Sequence, residues 1–470
     1  MMTTLREAAA RLSRGEATSV SLVEEALSAI EAREEELHSF LTLLPDAVEA
    51  AEALDRDRPA QAGPLYGIPY AVKDNIVTEG VRTTAASRIL EGYLPPYSAT
   101  AVERLQAQGA LLLGKTNLDE FAMGSSTEWS AFGPSRNPVD PSRVPGGSSG
   151  GSAVAVAAGY CQYALGSETG GSVRQPAAFC GCVGLKPSYG RVSRYGLIAF
   201  ASSLDQIGVL TRDVRDAGVV LGAIAGRDPH DQTSVDAPVQ DYLAEIGRGA
   251  RGLRFGVPAE YLAQGVDPAV RDEVLRAADL LEAQGLERRE VSLAHTSYAL
   301  DAYYIIAPAE ASSNLARFDG MRYGPRSASD ELVEAYRATR GEGFGPEVKR
   351  RILLGTYVLS AGYYDTYYLR AQKLRTLLRR EFSEAFDAVD VLLTPTTPTT
   401  AFRFGENTED PLAMYMADAL TIPANLAGLC AISLPGRPAQ GLPVGLQLMA
   451  APMREDILLR AAAALEEAVR

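Results

Sequence analysis

Two runs in the chain concentrate serine among glycines, Pro145-Gly-Gly-Ser-Ser-Gly-Gly-Ser152 and Leu165-Gly-Ser-Glu-Thr-Gly-Gly-Ser-Val-Arg-Gln-Pro-Ala177. A serine hydroxyl attacks a carbonyl carbon only when a base takes its proton, so the chemistry open to these runs depends on where a base can be found. Gly147-Ser-Ser-Gly-Gly151 fits the G-x-S-x-G pattern of a nucleophile elbow, which would make Ser149 the nucleophile and require a later acid and histidine. Only His230 and His295 lie downstream. The first sits in the turn-forming run Asp228-Pro-His-Asp231 and the second in an irregular stretch, and both read as surface residues. A buried, neutral lysine can replace histidine as the base. The candidate is Lys73, which closes the apolar run Gly67-Ile-Pro-Tyr-Ala-Val72; taken alone, it reads more readily as a lysine reaching from a strand end to water. A third run, Gly109-Ala-Leu-Leu-Leu-Gly-Lys-Thr116, matches the phosphate-loop pattern, but its Ala-Leu-Leu-Leu centre reads as buried strand, whose amides are not free to cradle an anion.

The elements that must hold these residues follow from hydrophobic periodicity. The chain has 470 residues, 46% of them hydrophobic and 22% charged, enough for a large core. Residues 1 to about 60 place Leu5, Ala9 and Leu12, then Leu22, Ala26 and Ile30, at helical spacing, which predicts two or three helices with Thr18 or Ser19 as a cap. Strands are predicted at 67–72, 109–114 and 389–394, and helices at 101–108 and 153–158. The alternation predicts an α/β fold around a mixed sheet. The polar stretches 227–250 and 326–345 read as surface excursions, so the chain reads as a single domain over 1–470: a helical region at 1–60, a core at 67–208, and the remainder at 209–470.

Composition excludes several classes. No run of about 18 apolar residues is present and the N-terminus lacks the apolar core of a signal peptide, which predicts a cytoplasmic protein with no membrane contact. Four cysteines without zinc-ligand spacing and three histidines predict neither a disulfide framework nor a metal site; Cys180 and Cys182 read as small core residues. With a net charge of −14 the surface repels phosphate backbones, so nucleic acid would need a second, basic chain.

Taken together and in this order, a lysine at a strand end, the GGSSGGS run and the TGGSVRQPA run resemble the amidase signature family. The resemblance implies a central mixed sheet flanked by helices and a Ser–cis-Ser–Lys triad, with Ser172 as nucleophile, Ser148 as the bridging serine and Lys73 as base. Gly170 and Gly171 then let the amides of Thr169, Gly170, Gly171 and Ser172 converge where an oxyanion develops. Bracketing by Ala153-Val-Ala-Val-Ala-Ala158 and Ala177-Ala-Phe-Cys-Gly181 speaks against a linker. Two residues depart from the family pattern: Glu168 stands where aspartate is usual and Cys430 where proline is usual.

The C-terminal half narrows the resemblance. Residues 302–320, 347–355, 360–368 and 410–415 resemble the family's glutaminase branch, found in tRNA-dependent amidotransferases. That branch implies glutamine hydrolysis, with Arg351 and Asp418 holding the α-carboxylate and α-ammonium and Tyr303 nearby; without it, Arg351 in Lys349-Arg-Arg351 reads as a solvated helix face. It further implies partner B and C subunits, misacylated tRNA (Glu-tRNA(Gln) or Asp-tRNA(Asn)) reached through the complex, and ATP and magnesium used by a partner, with no cofactor in this chain. The alternatives are a free-standing small-molecule amidase and a non-catalytic subunit that serves assembly only.

Overall fold

The computed structural model describes residues 3–263 and 265–470. Three helices lead in, Leu5–Ser13, Ser19–Leu37 and Ala47–Arg56. The second begins at Thr18, whose hydroxyl accepts from the Ser21 amide at 3.0 Å while Ser21 Oγ accepts from the Thr18 amide at 3.0 Å. This reciprocal cap satisfies two donors that a helix start leaves open.

Among the described residues eleven strands form one mixed sheet: β1 (Phe40–Leu43), β2 (Pro69–Lys73), β3 (Leu111–Thr116), β4 (Tyr163–Glu168), β5 (Val183–Lys186), β6 (Gln206–Thr211), β7 (Arg254–Gly256), β8 (Glu287–Arg289), β9 (Val391–Pro395), β10 (Cys430–Pro435) and β11 (Gly445–Ala450). Their order is β1-β3-β2-β4-β6-β5-β10-β11-β9-β7-β8. The three strands expected from sequence are present but begin two residues late. Gly67 and Gly109 take φ of +73° and +73°, outside strand geometry, and Val389 still closes the preceding helix. The expected helices run over Thr100–Gln106 and Gly150–Ala157.

Alternate residues along the central strands feed opposite faces. Tyr70, Val72, Tyr163 and Leu165 join one apolar cluster with the helices Val214–Ile224 and Glu455–Val469. Ala71, Leu111, Leu113 and Ala164 join a second, with Ser19–Leu37 and Gly150–Ala157. With both faces covered, the strands are apolar throughout. Cys180 and Cys182 belong to the second cluster, and all four cysteines are free and buried.

β3, β2 and β4 are mutually parallel, with Lys73 opposite Thr116 and Val72 opposite Leu165. Their C-terminal ends therefore share one edge of the sheet, the place where α/β folds present ligand sites. Over that region packs a helical layer, Ala299–Asn314, Pro346–Val358 and Leu369–Ala388, with its own apolar cluster.

The first two of these helices touch at Gly355, where a Cβ would lie 1.9 Å from the Pro308 carbonyl oxygen. Gly355→Ala must push the helices apart, and a loss of about 1–3 kcal/mol in unfolding free energy is expected from a denaturant titration.

Candidate active site

Lys73 is the last residue of β2, flanked on both sides by strands, so its side chain projects from the sheet edge into protein and is fully buried. Nζ lies 2.7 Å from Ser148 Oγ, 2.9 Å from Ser149 Oγ and 3.1 Å from the Ser167 carbonyl oxygen. Burial pushes its pKa down to about 7, against the opposing pull of Asp119, Glu168 and Asp205. The amine is thus poised between its two protonation states at neutral pH.

The loop 145–149 brings Ser148 to this amine. The Gly147–Ser148 peptide is cis, the Gly147 amide donates to Gln175 Oε1 at 2.9 Å, and Thr127 Oγ1 donates to the Gly146 carbonyl at 2.7 Å. Ser149 caps the start of the helix Gly150–Ala157, and its amide donates to the Ser172 carbonyl at 3.0 Å. That bond ties the Ser148 loop to the loop after β4 that carries Ser172. Ser172 is buried yet keeps 7% of its surface exposed.

The loop 169–172 is fixed from several sides. Glu168 accepts the amides of Val173 and Arg174, both at 3.1 Å, at the start of the helix Arg174–Cys180, and Arg174 Nε at 2.9 Å. Burial would raise this carboxyl; the Arg174 guanidinium and these bonds outweigh it and hold Glu168 below its usual range. Thr169 Oγ1 donates to Asp205 at 2.6 Å, and Thr421 Oγ1 donates to the Gly170 carbonyl at 2.7 Å. Among the described residues the amides of Thr169 to Ser172 meet no acceptor within the chain, so they are open to an oxyanion.

Asp418 and Tyr303 border this loop. A Cβ on Gly170 would stand 2.8 Å from the Tyr303 ring, and one on Gly171 would stand 3.0 Å from Asp418 Oδ1. Arg351 is buried, unlike exposed Lys349 and Arg350 beside it, which corrects the reading of the whole run as a solvated face. Its Nε donates to Glu347 at 2.7 Å, and its guanidinium faces Phe200, Tyr304 and Tyr415 at 5.4–5.5 Å from their ring centres. Burial opposes its charge, but Glu347 and the surrounding tyrosines keep Arg351 protonated. Burial likewise pushes the Asp418 carboxyl up to about 7, against the hydrogen bond from Ser125 and the charge of Arg351.

Other sequence matches dissolve. Lys115 of the phosphate-loop pattern lies inside β3, where Nζ donates to the Ile76 carbonyl at 2.6 Å and to Thr83 at 2.9 Å. His230 and His295 bind Asp228 at 3.0 Å and Glu381 at 2.9 Å, largely exposed, and neither contacts Ser149. Cys430 opens β10 with its thiol facing the carbonyls of Ala450 and Ala451. Sequence reasoning missed Asp119, Asp205, Ser125 and Gln175, whose partners lie far along the chain. Among the described residues no group of histidine, cysteine, aspartate or glutamate could hold a metal ion, and no helix is long and apolar enough to cross a membrane.

A fold of this topology with a buried lysine beside paired serines defines an amidase-type serine enzyme. The family model described as Amidase matches residues 21–459, and the chain belongs to that family. It is 57% identical over 99% of its length to the A subunit of the glutamyl-tRNA(Gln) amidotransferase of Moorella thermoacetica, covering 96% of that protein. To the protein of the same name from Roseiflexus sp. it is 58% identical over 97% of its length, covering 94%. Among solved structures, the A subunit of the Thermotoga maritima glutamyl-tRNA(Gln) amidotransferase matches with a TM-score of 0.83 at 45% identity over 99% of this chain and 94% of that one. The peptide amidase of Stenotrophomonas maltophilia matches at 0.84 and 34% identity over 100% and 97%.

An amine with a pKa of about 7 accepts a proton only above that pH. Hydrolysis that uses Lys73 as acceptor therefore rises with pH through about 7 and levels off above it. Asp418 ionises over the same range and acts in the same direction. A kcat/KM profile flat from pH 6 to 8 would remove Lys73 from the proton path.

Proposed function

We propose that the chain is the glutaminase subunit of a tRNA-dependent amidotransferase. Ser172 Oγ attacks the glutamine carboxamide carbon, and its proton passes through Ser148 Oγ to neutral Lys73. The amides of Thr169, Gly170, Gly171 and Ser172 receive the oxyanion. As the C–N bond breaks, the proton returns through Ser148 to the leaving nitrogen and ammonia departs. Water then attacks the glutamyl ester, releasing glutamate and restoring Ser172.

The observation that carries the reading is the buried Lys73 amine 2.7 Å from Ser148, in a site whose nucleophile loop is bordered by buried Asp418 and Tyr303. Free glutamine brings two charges that are costly to desolvate unpaired. Arg351 suits the α-carboxylate: among the described residues only its Nε is hydrogen-bonded within the chain. Asp418 suits the α-ammonium, with Tyr303 closing the pocket.

The relatives' names support the remaining steps. Partner B and C subunits complete the enzyme, one of them using ATP and magnesium to activate Glu-tRNA(Gln) or Asp-tRNA(Asn) for amidation by the released ammonia. The acidic chain, at net charge −14, leaves tRNA to those partners, and the complex works in the cytoplasm.

Ser172→Ala is expected to abolish glutamine hydrolysis while leaving the unfolding midpoint unchanged, because one hydroxyl is lost from a glycine loop. Arg351→Met and Asp418→Asn each raise KM for glutamine on the order of tenfold or more. Steady-state kinetics on the isolated chain and on the assembled complex decide between this reading and a free-standing amidase. Full activity without partners favours the latter.

A further inference from the structure

Asp418 uses its two carboxylate oxygens differently. Oδ2 accepts a hydrogen bond from Ser125 Oγ, whereas Oδ1 is buried and has no hydrogen-bond partner among the described residues. That open oxygen lies beside the nucleophile loop, 3.0 Å from where a Cβ on Gly171 would stand. An unpaired buried carboxylate oxygen is costly, and a cation placed there removes the cost.

Ser125 is held in register with the triad. Its carbonyl accepts Gln175 Nε2 at 2.8 Å, and Gln175 Oε1 accepts the Gly147 amide at 2.9 Å, next to Ser148. The surrounding loop is anchored by Asp119, which accepts the amides of Thr127 at 2.9 Å and Trp129 at 3.2 Å. Ser125 is itself buried, so its hydroxyl serves Asp418 and not solvent.

We infer that Ser125 is a positioning residue for the substrate's α-ammonium: its hydroxyl turns Asp418 so that Oδ1 faces the pocket, which makes the site select amides bearing a cationic α-substituent. The inference rests on the glutamine reading of Asp418. A hydroxyl that donates to Oδ2 also favours the ionised carboxylate, against the burial that pushes Asp418 up to about 7. Ser125 thus supplies orientation and charge together, without touching the reacting carboxamide.

The test compares glutamine with 4-carbamoylbutanoate, which is glutamine without its α-amino group, on the assembled enzyme and its Ser125→Ala, Ser125→Thr and Asp418→Asn variants. Ser125→Ala is expected to raise KM for glutamine on the order of tenfold, with kcat changed far less and kcat/KM for 4-carbamoylbutanoate within about twofold of wild type. Ser125→Thr, which keeps the hydroxyl, restores the preference for glutamine. Equal losses on both substrates in Ser125→Ala would show a merely structural role and overturn the inference, as would an unchanged KM for glutamine. Asp418→Asn separates the two failures. If it discriminates between the substrates and Ser125→Ala does not, only the role of Ser125 falls; if it affects both alike, the ammonium-binding role of Asp418 falls, and the inference with it.

Discussion

Everything in the site follows from burying one amine. Lys73 ends a strand paired on both sides, so its Nζ cannot reach water, and the protein supplies Ser148, Ser149 and the Ser167 carbonyl in water's place. An unpaired buried ammonium is costly enough that the group gives up its proton instead, which leaves a base at neutral pH without any histidine. Three buried carboxylates, Asp119, Glu168 and Asp205, act on it from different segments and keep its pKa from falling further. Because both Ser148 and Ser149 answer to the same amine, the 145–149 loop has little freedom to drift from the strand end.

The same constraint spreads outward through polar contacts that each do two tasks. Glu168 closes β4, takes the first amides of the next helix and pairs with Arg174. Arg174 in turn reaches the Thr421 carbonyl at 3.0 Å, Asn425 and Gln447, drawing the C-terminal strands and the 418–425 segment onto the nucleophile loop. A buried pair of this kind contributes little net stability compared with well-packed apolar groups, yet breaking it leaves an uncompensated charge. Its value here is registration: it sets Asp418 and Thr421 against Gly170 and Gly171.

What was legible in the sequence was what local pattern encodes. The strand that Lys73 closes, the glycine-serine loops and the cap at Thr18 are all written within a few neighbouring residues, and the strand limits missed only by the turn glycines Gly67 and Gly109. The substrate pocket was legible only through resemblance. Arg351 sits in a basic triplet whose other two members are exposed, and nothing local marks it as the one facing inward. Ser125 and Asp418 meet across 293 positions, and Asp119 reads as an ordinary acidic residue until the loop it anchors is folded. Such contacts arise from tertiary packing, which periodicity does not report.

The glycines of the nucleophile loop show how the two kinds of information join. From sequence, Gly170 and Gly171 give the backbone freedom to turn its amides inward, and Gly171 does adopt φ of +155°. The fold adds a second reason that freedom alone does not supply. At Gly170 any side chain would strike the Tyr303 ring, and at Gly171 it would lie 2.2 Å from Thr421 Oγ1 and crowd Asp418 Oδ1. The loop is therefore closely packed and hydrogen-bonded on both flanks, and its lack of side chains is what leaves room for a ligand between the open amides and the open carboxylate oxygen. Flexible composition here produces a rigid, hollow site, because the packing partners come from the far end of the chain.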